Sequence, residues 1–437
     1  MEYLNVIGLL LGIAVLIFLS FKGIHTILSA LLASIVIIIF NGMDFWGTIN
    51  ADFMAAAGGC VTTYFMLFAL GAVFGEVMSK SGSAGAIAKK IIDTLGKKYV
   101  LLALTLVTAI LSYAGISIFV IVFVIYPLAV PLMREANISK NILPALILFA
   151  GVTLMLPAPG SPTGTNATPA TVLGTTVYAA PIMGVICLIV AFVLGYLYLV
   201  RTSNSLAKQG VGFVEAEQLS DTNENSDELP SFIIAIIPVV SVIVVVFVTK
   251  SIFASFDSIN TGLFCGILLT ILLNLKRFKG STLESVSKGI TSSMSPTLTT
   301  AAIIGFGGVV QAAPAFQTFV SLSEYLSMLF NPYISGLISI NIMSGITGAA
   351  LSGMKIFTNS MLPSYLNLNI NAEAMHRILV ISSGGLDTLP HCSTLAILFG
   401  VMGLTHKQAY KYVFMVSVLL PLLIAFLAII LALVGIV

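Results

Sequence analysis

Long apolar runs broken by short polar stretches set the pattern of this chain. A helix needs about 20 apolar residues to cross a bilayer. Candidate spans fall at residues 4–20, 25–41, 60–78, 142–156, 181–200, 232–247, 260–275, 291–311, 374–383 and 412–434. The first begins without a basic leader or a small-residue cleavage site, so it reads as a span rather than a removed signal. Runs 142–156 and 374–383 are short and end in Gly/Pro/Ser/Thr-rich breaks. Two further stretches, 100–132 and 328–362, are interrupted near the middle by SYAGIS (112–117) and SGITG (344–348). Each is too long for one helix and too short for two, which predicts a re-entrant hairpin with a polar tip.

Residues 202–230 form the one strongly hydrophilic stretch and read as a solvated linker between halves that look alike. Residues 1–201 would be a first repeat, with a hairpin at 100–132 and a broken helix at 142–178. Residues 231–437 would be the second, with a hairpin at 328–362 and a broken helix at 374–403. Stretches 112–138 and 344–370 end in PLMREANI and PSYLNLNI, and each is followed by a Leu-Pro within a polar break. With the N-terminus outside, nearly all Lys and Arg fall inside, as cytoplasmic loops require. Only Lys250 and Arg377 fall outside, and Lys355 lies within a hairpin. Five crossings before the linker would insert the second half upside down. The fold expected is therefore an all-α membrane protein, an inverted-repeat transporter of about 10–11 spans with two re-entrant hairpins and two broken transmembrane helices.

Composition agrees: 58% of residues are hydrophobic and 8% charged, against about 25% charged in soluble domains. A net charge of +2 is too small for a nucleic-acid partner. Cys60, Cys187, Cys265 and Cys392 lie in apolar stretches without CxxC spacing and read as packed thiols, with no metal site. HExxH, GxSxG, P-loop and GxGxxG signatures are absent, which predicts no enzyme, no cofactor and an ion gradient as the energy source for uphill transport.

Backbone that leaves the helix at membrane depth must be satisfied by protein, water or ligand. The first break reads LPAPGSPTGTNATPA (156–170), with Thr168 and Pro169 expected to cap and open a new helix. The second reads SSGGLDTLPHCST (382–394), with Ser393 a candidate cap. Ser117 and Thr347 should stand near the start of the returning hairpin helices. Two tips and two breaks meeting near the midplane would form a polar chamber for a small organic anion. Packing between small residues is the competing reading. Candidate substrate contacts are Ser112, Tyr113, Gly115, Ser117, Ser161, Thr163, Thr165, Asn166, Ser344, Gly345, Thr347, Gly348, Gly384, Gly385, Thr388 and Ser393. Asp387 and His391 flank the second break and form the candidate coupling pair, since a carboxylate and an imidazole in a desolvated cavity can exchange protons. His391 could equally hydrogen-bond across the break. Lys355 is either a counter-charge for substrate or a snorkelling surface residue. Glu76, near Lys80, reads as a helix-end residue.

The stretch HRILVISSGGLDTLPHCSTLAILFGVMGLTHKQAYKYVF (376–414) resembles the gluconate permease (GntP) family, particularly its D-β-hydroxybutyrate permease branch. GKKYVLLALTLVTAILSYAG and LPAPGSPT extend the likeness over nearly the whole chain. The resemblance implies an inverted-repeat fold, often homodimeric, and proton-coupled uptake of small hydroxy-acids across the bacterial inner membrane, with sodium coupling as the rival mechanism. Gluconate carriers carry an SHxNDPGFW-like segment where this chain has Pro390-His391-Cys392-Ser393-Thr394, and a His in the first break that is missing here. Fewer polar side chains imply a substrate with fewer hydroxyls than gluconate.

Overall fold

The computed structural model describes residues 2–213, 229–249, 252, 255–278, 280–318, 321, 325, 331–365 and 370–437. Among these the chain is helical without strands. That is the expected solution for so apolar a sequence, because a helix satisfies its own backbone. Five helices alone have the length and hydropathy of a span: α1 (Tyr3–Phe21), α3 (Phe45–Lys80), α8 (Pro181–Lys208), α11 (Thr282–Ala312) and α16 (His406–Leu433). Shorter apolar helices accompany them, including α2 (Thr26–Phe40), α7 (Leu143–Gly151), α9 (Phe232–Thr249), α10 (Ser255–Leu273) and α15 (Ser393–Met402).

Helices α3 and α11 run antiparallel and form the spine of the molecule. Gly289 sits on the Val73 backbone, while Gly305 and Gly308 sit on the carbonyls of Phe53 and Asp52. Removing side chains at these positions lets two backbones approach, which is how apolar helices bind one another where no hydrophobic gradient separates them. At one end Lys288 pairs with Glu76 at 3.1 Å. Glu76 therefore belongs to the α3–α11 contact rather than to Lys80. Hydropathy alone placed these helices at 60–78 and 291–311. They begin at Phe45 and Thr282, because Asp44 caps the first and mutual packing carries polar residues such as Asn50, Asp52 and Lys288. A π-helical segment, Ile49–Met54, lies within α3 where Gly305 and Gly308 press on it.

After α3 comes the amphipathic α4 (Ser83–Leu95), which turns 106° at Gly96 into α5 (Lys97–Tyr113). Helices α5 and α6 (Ile118–Glu135) make the first hairpin, joined at a tip where Gly115 has φ +89°. The second hairpin pairs α12 (Pro332–Thr347) with α13 (Ala350–Ser360) through Gly348, φ +61°. Gly353 of α13 seats directly on Ser344 of α12. Helices of 16 and 11 residues span only about 24 and 17 Å, short of a bilayer core. Thr347 ends the entering helix instead of opening the returning one, because the turn at Gly348 follows it.

Both expected breaks are non-helical. Helix α7 ends at Gly151, and the chain passes through a tight turn, Thr153–Met155, into residues 156–163. The restart is two separate turns, Gly164–Ala167 and Ala170–Leu173. The first is capped by Thr163, one turn earlier than the Thr168–Pro169 pair expected, because Thr163 Oγ1 reaches the Asn166 N–H at 3.3 Å. The Thr168 hydroxyl instead donates back to Gly164 O. The second broken helix is α14 (Ala372–Ser383), an irregular stretch 384–392, then α15. Cys392 takes the cap position there, leaving Ser393 as the first helical residue. Helix α8 continues past the expected linker start to Lys208, carrying Arg201. Most of the linker (214–228), Lys250, Lys279, the start of the second hairpin stretch (328–330) and residues 366–369 of the repeat echo lie outside the described residues. Cys60, Cys187 and Cys392 are buried and Cys265 partly so, all unpaired.

The spine makes a sharp prediction from adjacent residues. A Cβ at Gly308 would lie 2.5 Å from Asp52 O, whereas one at Gly307 meets nothing within 4 Å. Gly308→Ala should destabilise the protein by about 1–3 kcal/mol and lower its melting temperature in detergent, while Gly307→Ala should leave it unchanged or raise it. Equal effects would remove the close α3–α11 contact from the account.

Candidate functional site

Once α7 ends, the carbonyls of Leu156, Val177 and Ala179 have no helix to serve, and the Arg377 side chain of α14 reaches over to take them up. Arg377 is wholly buried and donates five hydrogen bonds. Its Nε and one terminal nitrogen bond Ala179 O at 3.0 and 2.7 Å, and that terminal nitrogen also reaches Val177 O at 3.1 Å. The other terminal nitrogen bonds Leu156 O at 3.3 Å and Asn166 Oδ1 at 3.2 Å. Each guanidinium N–H is thereby used, and each acceptor is a neutral oxygen.

Asn166 is the counterpart on the break itself. Its Nδ2 donates to Ser161 O and Val177 O at 2.8 and 2.9 Å. Its Oδ1 accepts from Arg377 and from His376 Nε2 at 3.1 Å. With Nε2 donating, His376 Nδ1 accepts the Thr175 hydroxyl at 2.6 Å. One turn earlier, Glu373 accepts the Ala180 N–H at 3.0 Å. Ala180 has φ +47° and Pro181 follows it as the first residue of α8. Three residues at the start of α14 thus fix the whole return from the first break into α8.

The first hairpin closes over this break. Tyr113 donates to Pro159 O at 2.9 Å, Gly115 abuts Pro162, and the Ser112 hydroxyl caps Gly151 O, the last residue of α7, at 2.6 Å. From the second hairpin, Leu351 at the start of α13 meets Gly164. Pro162, Gly164, Ala167 and Tyr113 are exposed, so the break opens outward between the two hairpins. Ser161 lies behind them, fully buried, with its hydroxyl unpartnered. Thr163 is engaged as a cap, and Thr165 donates to it at 3.1 Å. Ser117 stands at the N-cap of α6 without a side-chain cap bond.

The second break is closed and packs on the tip of the second hairpin. Gly345 lies against Leu386, Gly348 against His391, and Gly385 against Asn341. His391 Nε2 donates to Gly345 O at 2.8 Å, because a carbonyl only accepts. Its Nδ1 is then buried without a partner. Four buried oxygens of the hairpin tip and the break share that condition: Asn341 Oδ1, Ser344 Oγ, Ser382 Oγ and one carboxylate oxygen of Asp387. Leaving such groups unpaired costs about 1–3 kcal/mol each, so this is where an ion, water or ligand would find ready partners. Thr347 is spent on Met343, Ser344 and Ala349 carbonyls. Gly384 touches Leu156, which joins the two breaks.

Both breaks also lean on one element. Thr153 from the first and Thr388 from the second donate to Val416 O and Ser417 O, each at 2.9 Å. These carbonyls lie in a π-helical segment of α16, Met415–Leu419. A π segment upsets the regular i→i+4 ladder and leaves carbonyls for outside donors.

The structure therefore gathers the candidates into two sets: Tyr113, Gly115, Ser161, Thr163, Thr165 and Asn166 around the first break, and Ser344, Gly345, Gly348, Gly385, Asp387 and His391 around the second. Lys355 stands apart, exposed on α13. Sequence reading missed Glu373, His376, Arg377 and Asn341, and treated Arg377 as an outside residue. The overlooked signal was two adjacent ionisable residues, His376 and Arg377, inside the apolar run AMHRILVI.

A family model described as GntP family permease matches residues 4–434, so the chain belongs to that family and is a multi-pass membrane transporter. It is similar to the uncharacterized transporter YxjC of Bacillus subtilis (strain 168), 31% identical with 95% of this chain and 96% of that one covered. It is also similar to the high-affinity gluconate transporter of Escherichia coli (strain K12), 24% identical over 94% and 95% of the two chains. A gluconate permease of Bacillus subtilis (strain 168) is 29% identical over 33% of this chain and 31% of its own.

The bonding of Asn166 predicts an unequal pair. Asn166→Ala withdraws four hydrogen bonds and strands Arg377 and His376, and should cost about 2–4 kcal/mol. Thr165→Val removes one hydroxyl contact and should cost under about 1 kcal/mol. Thermal unfolding of the purified variants measures both, and comparable losses would contradict the role given to Asn166.

Proposed function

We propose that this protein is a secondary active symporter for a small hydroxy-carboxylate, driven by protons. The observation that carries the reading is the pairing of an open first break with a closed second break lined by unpartnered polar atoms. Irregular backbone at membrane depth is tolerated where it lines a cavity, and half-helix ends with hydroxyls suit a carboxylate. Substrate enters at the first break past Tyr113, Gly115 and Pro162, and meets Ser161 and the Thr163 turn. Asp387 and His391 exchange the coupling proton at the second break, where each presents an unpartnered atom. Transport alternates as the two halves rock about the α3–α11 spine. The matched order of long helix, hairpin and broken helix in each half supports an inverted repeat.

The substrate class rests on two supports. Relatives named for gluconate favour a sugar acid. The few polar side chains at the breaks favour a shorter acid such as 3-hydroxybutyrate. In the bacterial inner membrane, with the N-terminus outside and the 202–230 linker in the cytoplasm, the carrier works in uptake, as a homodimer. One observation favours a second coupling ion. Asn341 Oδ1, Ser344 Oγ and the free Asp387 oxygen are hard donors that would equally suit sodium.

Proteoliposome uptake of labelled D-gluconate and 3-hydroxybutyrate, under separately imposed pH and sodium gradients, tests the proposal. Expected are saturable, trans-stimulated uptake and accumulation driven by an inward proton gradient. Asp387→Asn and His391→Ala should abolish accumulation while sparing exchange of pre-loaded substrate. Accumulation that follows sodium alone would replace the proton, and unimpaired pH-driven accumulation in both variants would remove the coupling pair.

A further inference from the structure

The first break contains no charged side chain of its own, yet a full positive charge is buried against it. Arg377 arrives from α14, wholly shielded from solvent, and every acceptor of its five bonds is a carbonyl or amide oxygen. A buried guanidinium ordinarily faces a carboxylate, since burying an ion without neutralising it is costly. Here the candidate counter-ion one turn away, Glu373, is exposed at the surface and directs a carboxylate oxygen to the Ala180 N–H. The charge is held in place by dipoles, and among the described residues no carboxylate pairs with it within ion-pair distance.

Asn166 is what links this charge to the residues of the first break. Asn166 connects Arg377 to Ser161, accepting from one at 3.2 Å and donating to the carbonyl of the other at 2.8 Å. The Ser161 hydroxyl is fully buried and unpartnered, a donor left over one hydrogen-bonded residue away from the cation. In front of Ser161 stand the exposed Pro162, Gly164 and Ala167. We propose that Arg377 is the fixed cation that makes the first break select a carboxylate over a neutral solute. It is a positioning residue: all its N–H groups are committed, so it acts by its field and by holding residues 156–179, and the substrate meets Ser161 and the Thr163 turn. Through the buried side chains of Arg377 and Asn166 such a field is weakly screened. The proposal rests on the reading of the protein as a carboxylate carrier.

The full-length chain in proteoliposomes gives the test. KM for D-gluconate and 3-hydroxybutyrate is measured alongside inhibition by the uncharged D-gluconamide and 3-hydroxybutyramide. Wild type should prefer each acid to its amide, and Arg377→Gln should shrink that preference by about tenfold or more, with Arg377→Lys in between. A preference that survives Arg377→Gln intact overturns the proposal, whatever the variant does to stability or maximal rate. Should Arg377→Gln fail to fold, Glu373→Gln decides. Its amide oxygen still accepts from Ala180 while the opposing charge is gone, so KM for the acid should fall by about threefold and amide inhibition should hold. An acid KM that is unchanged or raised in Glu373→Gln overturns the proposal equally. Wild type that takes up neither acid defeats the carboxylate-carrier reading itself, and this inference with it.

Discussion

A peptide group outside a helix must find a hydrogen-bond partner, and in an apolar interior water does not supply one. This architecture follows from how that demand is met at residues 156–180. Arg377 and Asn166 between them take up the carbonyls of Leu156, Ser161, Val177 and Ala179, and Glu373 takes the Ala180 N–H. Without them the broken helix would be an unpaid desolvation of several groups at about 1–3 kcal/mol each. The two halves of the chain are thus held together by the same bonds that hold the break open.

The two breaks meet the demand differently. The first is satisfied almost completely, by an arginine, an asparagine and a histidine, and its remaining surface faces an opening. The second leans on the hairpin tip through His391 on Gly345 O and on α16 through His406 on Pro390 O, and keeps several buried polar atoms unpaired. A satisfied site is rigid, and an unsatisfied one has a standing affinity for whatever completes it.

Around both lies a closely packed frame. Glycines on α11 bring its backbone onto that of α3, and the π segment of α16 receives one hydroxyl from each break. The π segment joins the turn after α7 to the second break through adjacent carbonyls.

Hydrophobic patterning alone determined that the chain is helical, crosses the membrane many times, and is interrupted within 156–170 and 382–394 and close to Gly115 and Gly348. Apolar runs and Gly/Pro/Ser clusters are local properties, and a helix in oil is a local solution. Caps and boundaries were less legible, since Thr163, Cys392 and the start of α3 depend on which hydroxyl or neighbouring helix happens to be in reach. The tertiary structure decided who partners whom. Arg377 lies about 200 residues from the carbonyls it holds, and the spacing of charges along the chain assigned it to the outside because a lone Arg near a span end ordinarily reaches water. Only packing of α14 against residues 156–180 removes that water, and with it the distinction between a loop charge and the buried cation of the site.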